Sequence, residues 1–392
     1  MTSSVEHRFI GEVARLERRA VDVNPSREYE EIGIRSFGRG IFHKGPVSGA
    51  ALGSKRVFWI KPADLVLNNV FAWEGAIAVA DIGEQGLIGS HRFMTYVVDR
   101  HWAEPRYLLY YFLSDTGLGL IRRASPGSAG RNRTLGIKAF ESLEIPLPPL
   151  VRQHEIASQL DVIRSKTRTV EVQHAGVAQK LAGVVTALVT RGDLSDMQKV
   201  RRGWSRRTLA EVIQLSSRFE TVNPDSSYRI AGVYSFGRGL IDRGLISGSE
   251  TRYRSLARLA KHNIVVSRLG GWEGAVAVVG SAFAGAYVSP EYPVFTPNQE
   301  LLNPDYFNGI AMSPWLWDAI GESTRGSMAR RKRIKAEQFL QVEIWLPPVS
   351  EQGRIAILIS KALAAVGVLQ HGRELVSALD PAALNRAFAD LG

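Results

Sequence analysis

Two patterns of apolar residues alternate along this chain. Up to Pro148, short apolar runs such as "VFWI", "DLVLNNV" and "GAIAVA" lie between clusters of Gly, Pro, Asn and Ser, which predicts a mostly β domain with long loops. One or two helices interrupt it, including one begun by "EPRYLLYYFLSD". After "LPPL" the apolar positions are Ile156, Leu160, Ile163, Thr167, Val170, His174, Val177, Leu181, Val184 and Leu188, in steps that alternate four and three. That is a heptad seam. The same change recurs after Pro347-Pro348, with seam positions Ile355, Ile359, Ala362, Val366, Leu369, Arg373 and Val376, before Asp380-Pro381 is expected to restart a short last helix. Each seam predicts a helix of about 35 to 40 residues, roughly 50 to 60 Å long at ~1.5 Å per residue. A stripe this narrow buries itself only against another like it, so the two helices are expected to be each other's partners.

The two patterns are written twice because the chain is a tandem repeat. Shifted by 199 residues, "VNPSREYEEIGIRSFGRGIF" from Val23 falls on "VNPDSSYRIAGVYSFGRGLI" from Val222, Trp73 on Trp272, and Pro148-Pro149 on Pro347-Pro348, with no gap. The match begins with "RFIGEV" on "RTLAEV" and continues past the prolines through Gln153, Ile156 and Ala157 on Gln352, Ile355 and Ala356. A solenoid stacks three or more short repeats, so two long ones imply a fused pseudo-dimer. The expected divisions are a first β-rich domain over 1–147, a helix over 148–193, a linker over 194–205, a second β-rich domain over 206–346 and a second helix over 347–392.

Composition narrows the function. The chain has 392 residues and no cysteine, which removes disulfides, thiolate metal sites and cysteine nucleophiles. Its eight histidines show no H-E-x-x-H spacing, so neither a metal nor a cofactor is expected. No run is read as apolar enough for a membrane span, and the opening has no secretory character, so a cytoplasmic location is expected. The net charge of +11 divides into +5 for residues 1–200 (26 basic, 21 acidic) and +6 for 201–392 (23 basic, 17 acidic). Each half is separately basic, which suits a polyanionic partner.

The order of parts resembles the DNA-specificity subunit of type I restriction–modification enzymes. The resemblance rests on the twofold series of β-rich domain, "LPPL-x-x-Q" junction and long helix, on the "L-x-E-V" opening, on "WEGA", and on the basic stretch before the prolines. It covers essentially the whole chain. It implies an α+β fold of two similar target recognition domains in tandem, each followed by a long helix, the helices pairing as an antiparallel coiled coil with pseudo-two-fold symmetry. It also implies that each domain reads one half of a split target in double-stranded DNA. In that family the helices dock two methyltransferase subunits, restriction/translocase subunits are added to these, and the specificity subunit is not catalytic. One departure is "LPPLVRQ" in the first copy, where an acidic residue is usual before the Gln, as in "LPPVSEQ" of the second.

The repeat also sorts candidate residues. Positions shared by the copies are expected to fold the domain or hold phosphates, which look alike everywhere, whereas positions that differ are expected to carry base preference. Arg39 and Arg238 in the shared "SFGRG" are phosphate candidates, as are Arg131 and Arg133 in "RNR" and Arg330, Arg331, Lys332 and Arg333 in "RRKR". Neither copy fits G-x-G-x-x-G, because His43 and Asp242 stand at the third Gly. Trp73 and Trp272 are expected in the core, and Glu74 and Glu273 are expected to pair with a shared Arg. Just before them Asn68, Asn69 and Phe71 face Ser267, Arg268 and Gly270. Asn and Arg bond bidentately to adenine and guanine edges, so Asn68, Asn69, Phe71, Ser267 and Arg268 are base-reading candidates, with His91 and Arg92. Two rival readings remain open. "NPDYF" at Asn303 looks like the N-P-P-Y motif of a stand-alone adenine methyltransferase, although the first copy reads "EPRYL" at that place, which reduces the shared content to a helix start. A coiled-coil scaffold with protein-binding β domains is the other. No recurring pair of carboxylates with a nearby Lys supports a nuclease.

Overall fold

The computed structural model describes residues 5–127, 133–216, 218–323 and 333–391. The chain divides into two compact units, residues 1–172 with 373–392, and residues 173–372. In the first unit the strands are β1 (Glu6–Phe9), β2 (Ala14–Leu16), β3 (Glu28–Ile34), β4 (Ile41–Ser48), β5 (Val57–Trp59), β6 (Leu65–Asn68), β7 (Ile77–Val79), β8 (Ile88–Ser90), β9 (Phe93–Val98) and β10 (Glu144–Leu147). They form one sheet of order β4-β3-β8-β5, a second of order β2-β9-β6-β7, and the pair β1-β10. The second sheet is covered on both faces, which is why "LVL" of β6 reads as an unbroken apolar run. Leu65 and Leu67 join the larger core beneath the helices Pro105–Leu113 and Asp115–Arg123, whereas Val66 joins Ile32, Ala76 and Ala78 on the other face.

The second unit repeats this plan. Its sheets order Leu240–Ser247, Ser227–Val233, Tyr287–Val288, Ser255–Arg258 and Phe219–Thr221 in one, and Ile213–Leu215, Val294–Pro297, Ile264–Val266 and Val276–Val278 in the other. The middle residue of "IVV", Val265, again faces a different cluster from Ile264 and Val266.

The helix that opens with "EPRY" or "NPDY" has the same start in both units. Proline occupies its first turn, and the side chain of Glu104 or Asn303 caps it, Glu104 accepting from the Arg106 N–H and Asn303 from the Asp305 and Tyr306 N–H groups. This is the favoured chemistry of a helix N-terminus. The Asn303 amide is thereby engaged in folding.

The two long helices run over Leu150–Thr190 and Val349–Phe388. Both begin at the double proline, and one buried glutamine locks each start. Gln153 donates to the carbonyls of Trp102 (2.9 Å) and Pro148 (2.8 Å) and accepts from the Glu104 N–H (3.0 Å). Gln352 does the same with Leu301 (3.0 Å), Pro347 (2.9 Å) and the Asn303 N–H (2.8 Å). The "LPP-x-x-Q" element is thus the weld between each β-rich domain and its helix.

Within each unit the long helices lie antiparallel. In the first, Ile156 and Leu160 share a core with Leu384 and Phe388, and further along Asp380 accepts from Thr167 (3.0 Å) and pairs with Arg164 (3.2 Å). In the second, Val185 and Val189 share a core with Ile355 and Ile359. Each such aliphatic side chain withdrawn from water contributes roughly 1.5–3 kcal/mol.

Four expectations need correction here. The helix does not restart at Asp380-Pro381: it continues through Pro381 to Phe388. Val177 is not a seam residue, being 45% exposed, as Val184 is at 51%, whereas Val185 and Val189 are buried. The burial stripe of the first long helix passes through 153, 157, 160, 164, 167, 171, 174, 178, 181 and 185 in steps of four and three, so the seven-residue repeat is kept: Leu160, Thr167, His174 and Leu181 stay in the seam, and its other row lies one position beyond the expected one. The second helix keeps the expected seam except at Arg373, which is exposed: Ile355 and Ile359 are buried and Ala362, Val366, Leu369 and Val376 partly so. Ile163, Val170 and Leu181 are likewise partly buried. The stretch read as a linker carries a helix, Asp196–Arg201, capped by Ser195. Finally, the second long helix is long and apolar enough to cross a membrane by length and composition. Its alanines, valines and leucines extend beyond the seam, and Ile357, Val368, Leu375 and Leu379 are exposed.

Candidate nucleic-acid interface

In the first unit the loop Ser36–Gly40 between β3 and β4 is fastened to the "WEG" segment, which is a single 3-10 turn, Ala72–Glu74, and not part of a strand. The Phe37 N–H donates to the Glu74 carbonyl (2.7 Å), the Gly38 N–H to the Gly75 carbonyl (2.9 Å), and the Ser36 hydroxyl to the Glu74 carboxylate (3.0 Å). Glu74 therefore pairs with a serine, which replaces the expected arginine. Gly38 is required twice over: its φ is +64°, and a Cβ there would come within 2.7 Å of Leu113. The Gly38 carbonyl accepts from Arg164 of the first long helix (2.5 Å).

Aromatic and basic groups collect around this junction. Trp73 is half-buried, its indole N–H donates to the Val70 carbonyl (2.9 Å), and the Arg133 guanidinium lies 5.4 Å above its ring. Arg122 donates to the Trp73 carbonyl (3.3 Å). Arg39 is exposed, 5.9 Å from the Phe37 ring centroid. Nearby, the Asn69 N–H donates to the Arg92 carbonyl (2.9 Å) and the Leu135 N–H to the Asn69 carbonyl (2.8 Å). Asn68, Asn69 and Arg92 are thus brought together at one end of the β6–β9 ladder, with Phe71 partly exposed and His91 and Arg92 in solvent. Asn68 is committed locally, since its amide oxygen accepts from the Val70 N–H (3.0 Å).

The second unit builds the same frame. Phe236 N–H donates to the Glu273 carbonyl (2.7 Å), Gly237 N–H to the Gly274 carbonyl (3.0 Å), and the Ser235 hydroxyl reaches Glu273 (3.5 Å). Trp272, expected in the core, is 39% exposed and lies in the 3-10 turn Gly271–Glu273, ahead of the buried strand. The Arg268 N–H donates to the Glu291 carbonyl (3.0 Å) and the Ile334 N–H to the Arg268 carbonyl (2.9 Å), while Ser267 accepts from the Gly270 N–H (3.1 Å). Arg238 is exposed and lies 4.7 Å from the Tyr234 ring centroid. Arg333 is paired with Glu291 (2.7 Å). Arg131, Arg330, Arg331 and Lys332 lie outside the described residues.

Within this common backbone, positions 69 and 92 carry Asn and Arg in the first unit where 268 and 291 carry Arg and Glu in the second. The Asn69 amide oxygen and the Arg268 Nε are both buried without a hydrogen-bond partner. Such orphans are uncommon in folded proteins, and here they fall at the same place in both repeats.

Two residues that residue-type reasoning missed are Phe37 and Phe236. Each has a left-handed backbone, φ +61° and +63°, and they are 72% and 61% exposed. A bulky side chain in that region is an outlier that costs on the order of 1–3 kcal/mol. The signal available in the sequence was the identical "SFGRG", but it drew attention to the arginine. Among the described residues no group of three His, Asp or Glu is placed to hold a metal ion.

Tandem β-rich domains, each welded to a long helix that runs antiparallel to its mate, define a class of protein built as a fused pseudo-dimer. Residues 4–174 match the type I restriction modification DNA specificity domain. The fold is similar to that of a chain from a structure concerned with complex assembly and conformational transition of the type I R-M system, at 19% identity and a TM-score of 0.61, covering 98% of this chain and 97% of that one. It is also similar to a type I restriction–modification S subunit from M. genitalium, at 13% identity and a TM-score of 0.53, covering 100% and 98%. No curated protein matches the chain at a significant level. The first β-rich domain and the start of its helix thus match the type I restriction modification DNA specificity domain, and the whole chain has a fold similar to those two solved chains.

Proposed function

We propose that each β-rich domain reads one half of a bipartite target in double-stranded DNA, and that the long helices hold the two halves at a set spacing and dock two methyltransferase subunits, through which restriction/translocase subunits join. The subunit itself works without a catalytic step, as a cytoplasmic protein that selects the site for its partners. The observation that carries this reading is one backbone frame built twice around the fastened "SFGRG" loop, with side chains that diverge where Asn69 and Arg92 are replaced by Arg268 and Glu291. A two-fold pseudo-symmetric reader can meet the two strands of a duplex in equivalent ways. Shared Arg39 and Arg238, with Arg122 and Arg133, serve phosphates. Exposed Arg92 reaches base edges, with the partly exposed side chains of Asn69 and Arg268 beside it as candidates through atoms other than their buried ones, and His91 and Phe71 flank them. Arg333 acts through its pair with Glu291.

Two measurements test the reading. Binding of the full chain to duplex DNA is expected to weaken steeply with salt, and exchanging Arg39, Arg122 and Arg133 for glutamine should flatten the slope of log K against log[salt] by about 0.9 for each phosphate no longer neutralised. An unchanged slope removes these arginines from the interface. Replacing residues 206–346 with the matching part of a relative of different specificity should alter one half of the site recovered from a random pool and leave the other intact. Changes in both halves would mean that the domains do not read independently.

A further inference from the structure

Phe37 and Phe236 do not earn their conformation by packing. Phe37 sits at the tip of its loop with nearly three quarters of its surface in water, and Phe236, whose ring edge meets Trp317 at 6.3 Å, is still mostly exposed. Asn or Gly at either position would adopt the left-handed backbone more readily. Both repeats nevertheless keep Phe, and both hold it firmly. The Phe N–H is bonded to the carbonyl of the "WEG" glutamate at 2.7 Å in each unit, and the next residue is bonded to the following glycine. An apolar ring is therefore presented to solvent on a braced, strained loop, followed two residues later by an exposed arginine, in both copies of the domain.

We infer that Phe37 and Phe236 are aromatic wedges that insert against the stacked bases of duplex DNA, one per half-site, while Arg39 and Arg238 engage the adjoining phosphates. Apolar side chains used in this way partly unstack a base step and deform the duplex. A phenylalanine can do so next to any sequence, because every base has a π-face. That sequence tolerance explains why the residue is shared between two domains whose neighbouring polar positions differ. Gly40 and Gly239, which follow the two arginines with φ of +77° and +79° and have open space where a Cβ would stand, let the backbone come close to the sugar–phosphate chain. The basic surroundings, Arg122 and Arg133 at Trp73 in the first unit, favour nucleic acid over a protein partner as the surface the ring meets.

The inference rests on the DNA-reading function proposed above, and its test separates the two. The wild-type chain first selects its duplex from a random pool. Failure at this stage refutes the DNA-reading function itself. On the selected duplex, with 2-aminopurine at single adenine positions, wild-type binding should raise the fluorescence at one step in each half-site. Phe37→Asn should abolish the rise in one half-site and Phe236→Asn in the other, with affinity lower by about tenfold in each. The salt slope should stay unchanged, because no charge is removed. Since Asn relieves the backbone strain, Tm should hold or rise, and Phe37→Trp should retain binding. The wedge is overturned if the Asn variants bind with wild-type affinity and fluorescence, even where they weaken capture of a methyltransferase subunit, which would assign the rings to a protein partner. It is equally overturned if affinity falls only in step with a drop in Tm, which would make the rings part of the packing.

Discussion

Gln352→Leu is expected to release the second long helix from its β-rich domain. The wild-type amide satisfies three buried backbone groups at once, the carbonyls of Leu301 and Pro347 and the N–H of Asn303. Leucine fills similar space but bonds to none of them. A buried group left without a partner costs about 1–3 kcal/mol, so losing all three removes some 3 kcal/mol or more, a large share of the roughly 5–15 kcal/mol that holds a typical domain folded. Asn303 would be affected a second time, because its backbone is fixed by Gln352 while its side chain caps the helix Pro304–Ala311. Gln153→Leu should do the same to the first unit through Trp102, Pro148 and Glu104. Urea unfolding followed by tryptophan fluorescence and far-UV circular dichroism would show the altered unit melting first. In a site selection, each variant should lose one half of the recognised sequence. Melting of both variants at the wild-type midpoint would show that these bonds are incidental.

Lengthening both long helices by one heptad is expected to change the gap between the two half-sites. Seven residues add about 10 Å at ~1.5 Å per residue, which corresponds to roughly three base pairs at about 3.4 Å each. The same three base pairs rotate the second half-site by nearly a third of a turn, since a turn takes about 10 to 10.5 base pairs. A stiff helix pair cannot follow that rotation freely. The inserted protein should therefore either select a longer gap with reduced affinity or lose tight binding while each domain still recognises its half. Insertions of four residues, close to one helical turn, should shift the gap by one or two base pairs and be better tolerated. The seven-residue repeat of the buried positions of Leu150–Thr190 bears on the choice of insert, because a whole heptad returns the seam to the same face. Site selection after a circular dichroism check of helicity measures the outcome. Recovery of the same gap from every variant would show that the helices are not the ruler.

The helix starts were open to sequence reasoning because their determinants are local. A cap at Glu104 or Asn303, a proline in the next position and a double proline before Gln153 or Gln352 act over a few residues, so their chemistry can be read without knowing what lies across the fold. The β-rich character of each domain was legible for the same reason. Internal duplication added what a single copy could not, by separating the frame from positions such as 69 and 268 that vary within it. Trp73 is packed against the core of its unit as expected, though only partly buried, whereas Trp272 was misjudged because a large aromatic next to a buried strand reads as core. The "WEG" segment in fact turns before the strand begins, so where the ring lands depends on the loop that is fastened to it.

The amino-acid sequence by itself determined the duplication, the change from β-rich domain to long helix at each double proline, the caps, and the family resemblance, since these depend on spacing and on interactions within a turn or two. Only the tertiary structure decided which atoms meet across the fold. It showed that Glu74 and Glu273 serve serines, that Val177 and Val184 of the first long helix face solvent while Val185 is buried, and that the second helix continues through Pro381. It also showed that Phe37 and Phe236 are held exposed in a left-handed backbone. The physical reason is that a backbone dihedral at a loop tip is imposed by hydrogen bonds to a segment some 37 residues away. Likewise, the seam of a helix is set by its partner's surface as well as by its own period.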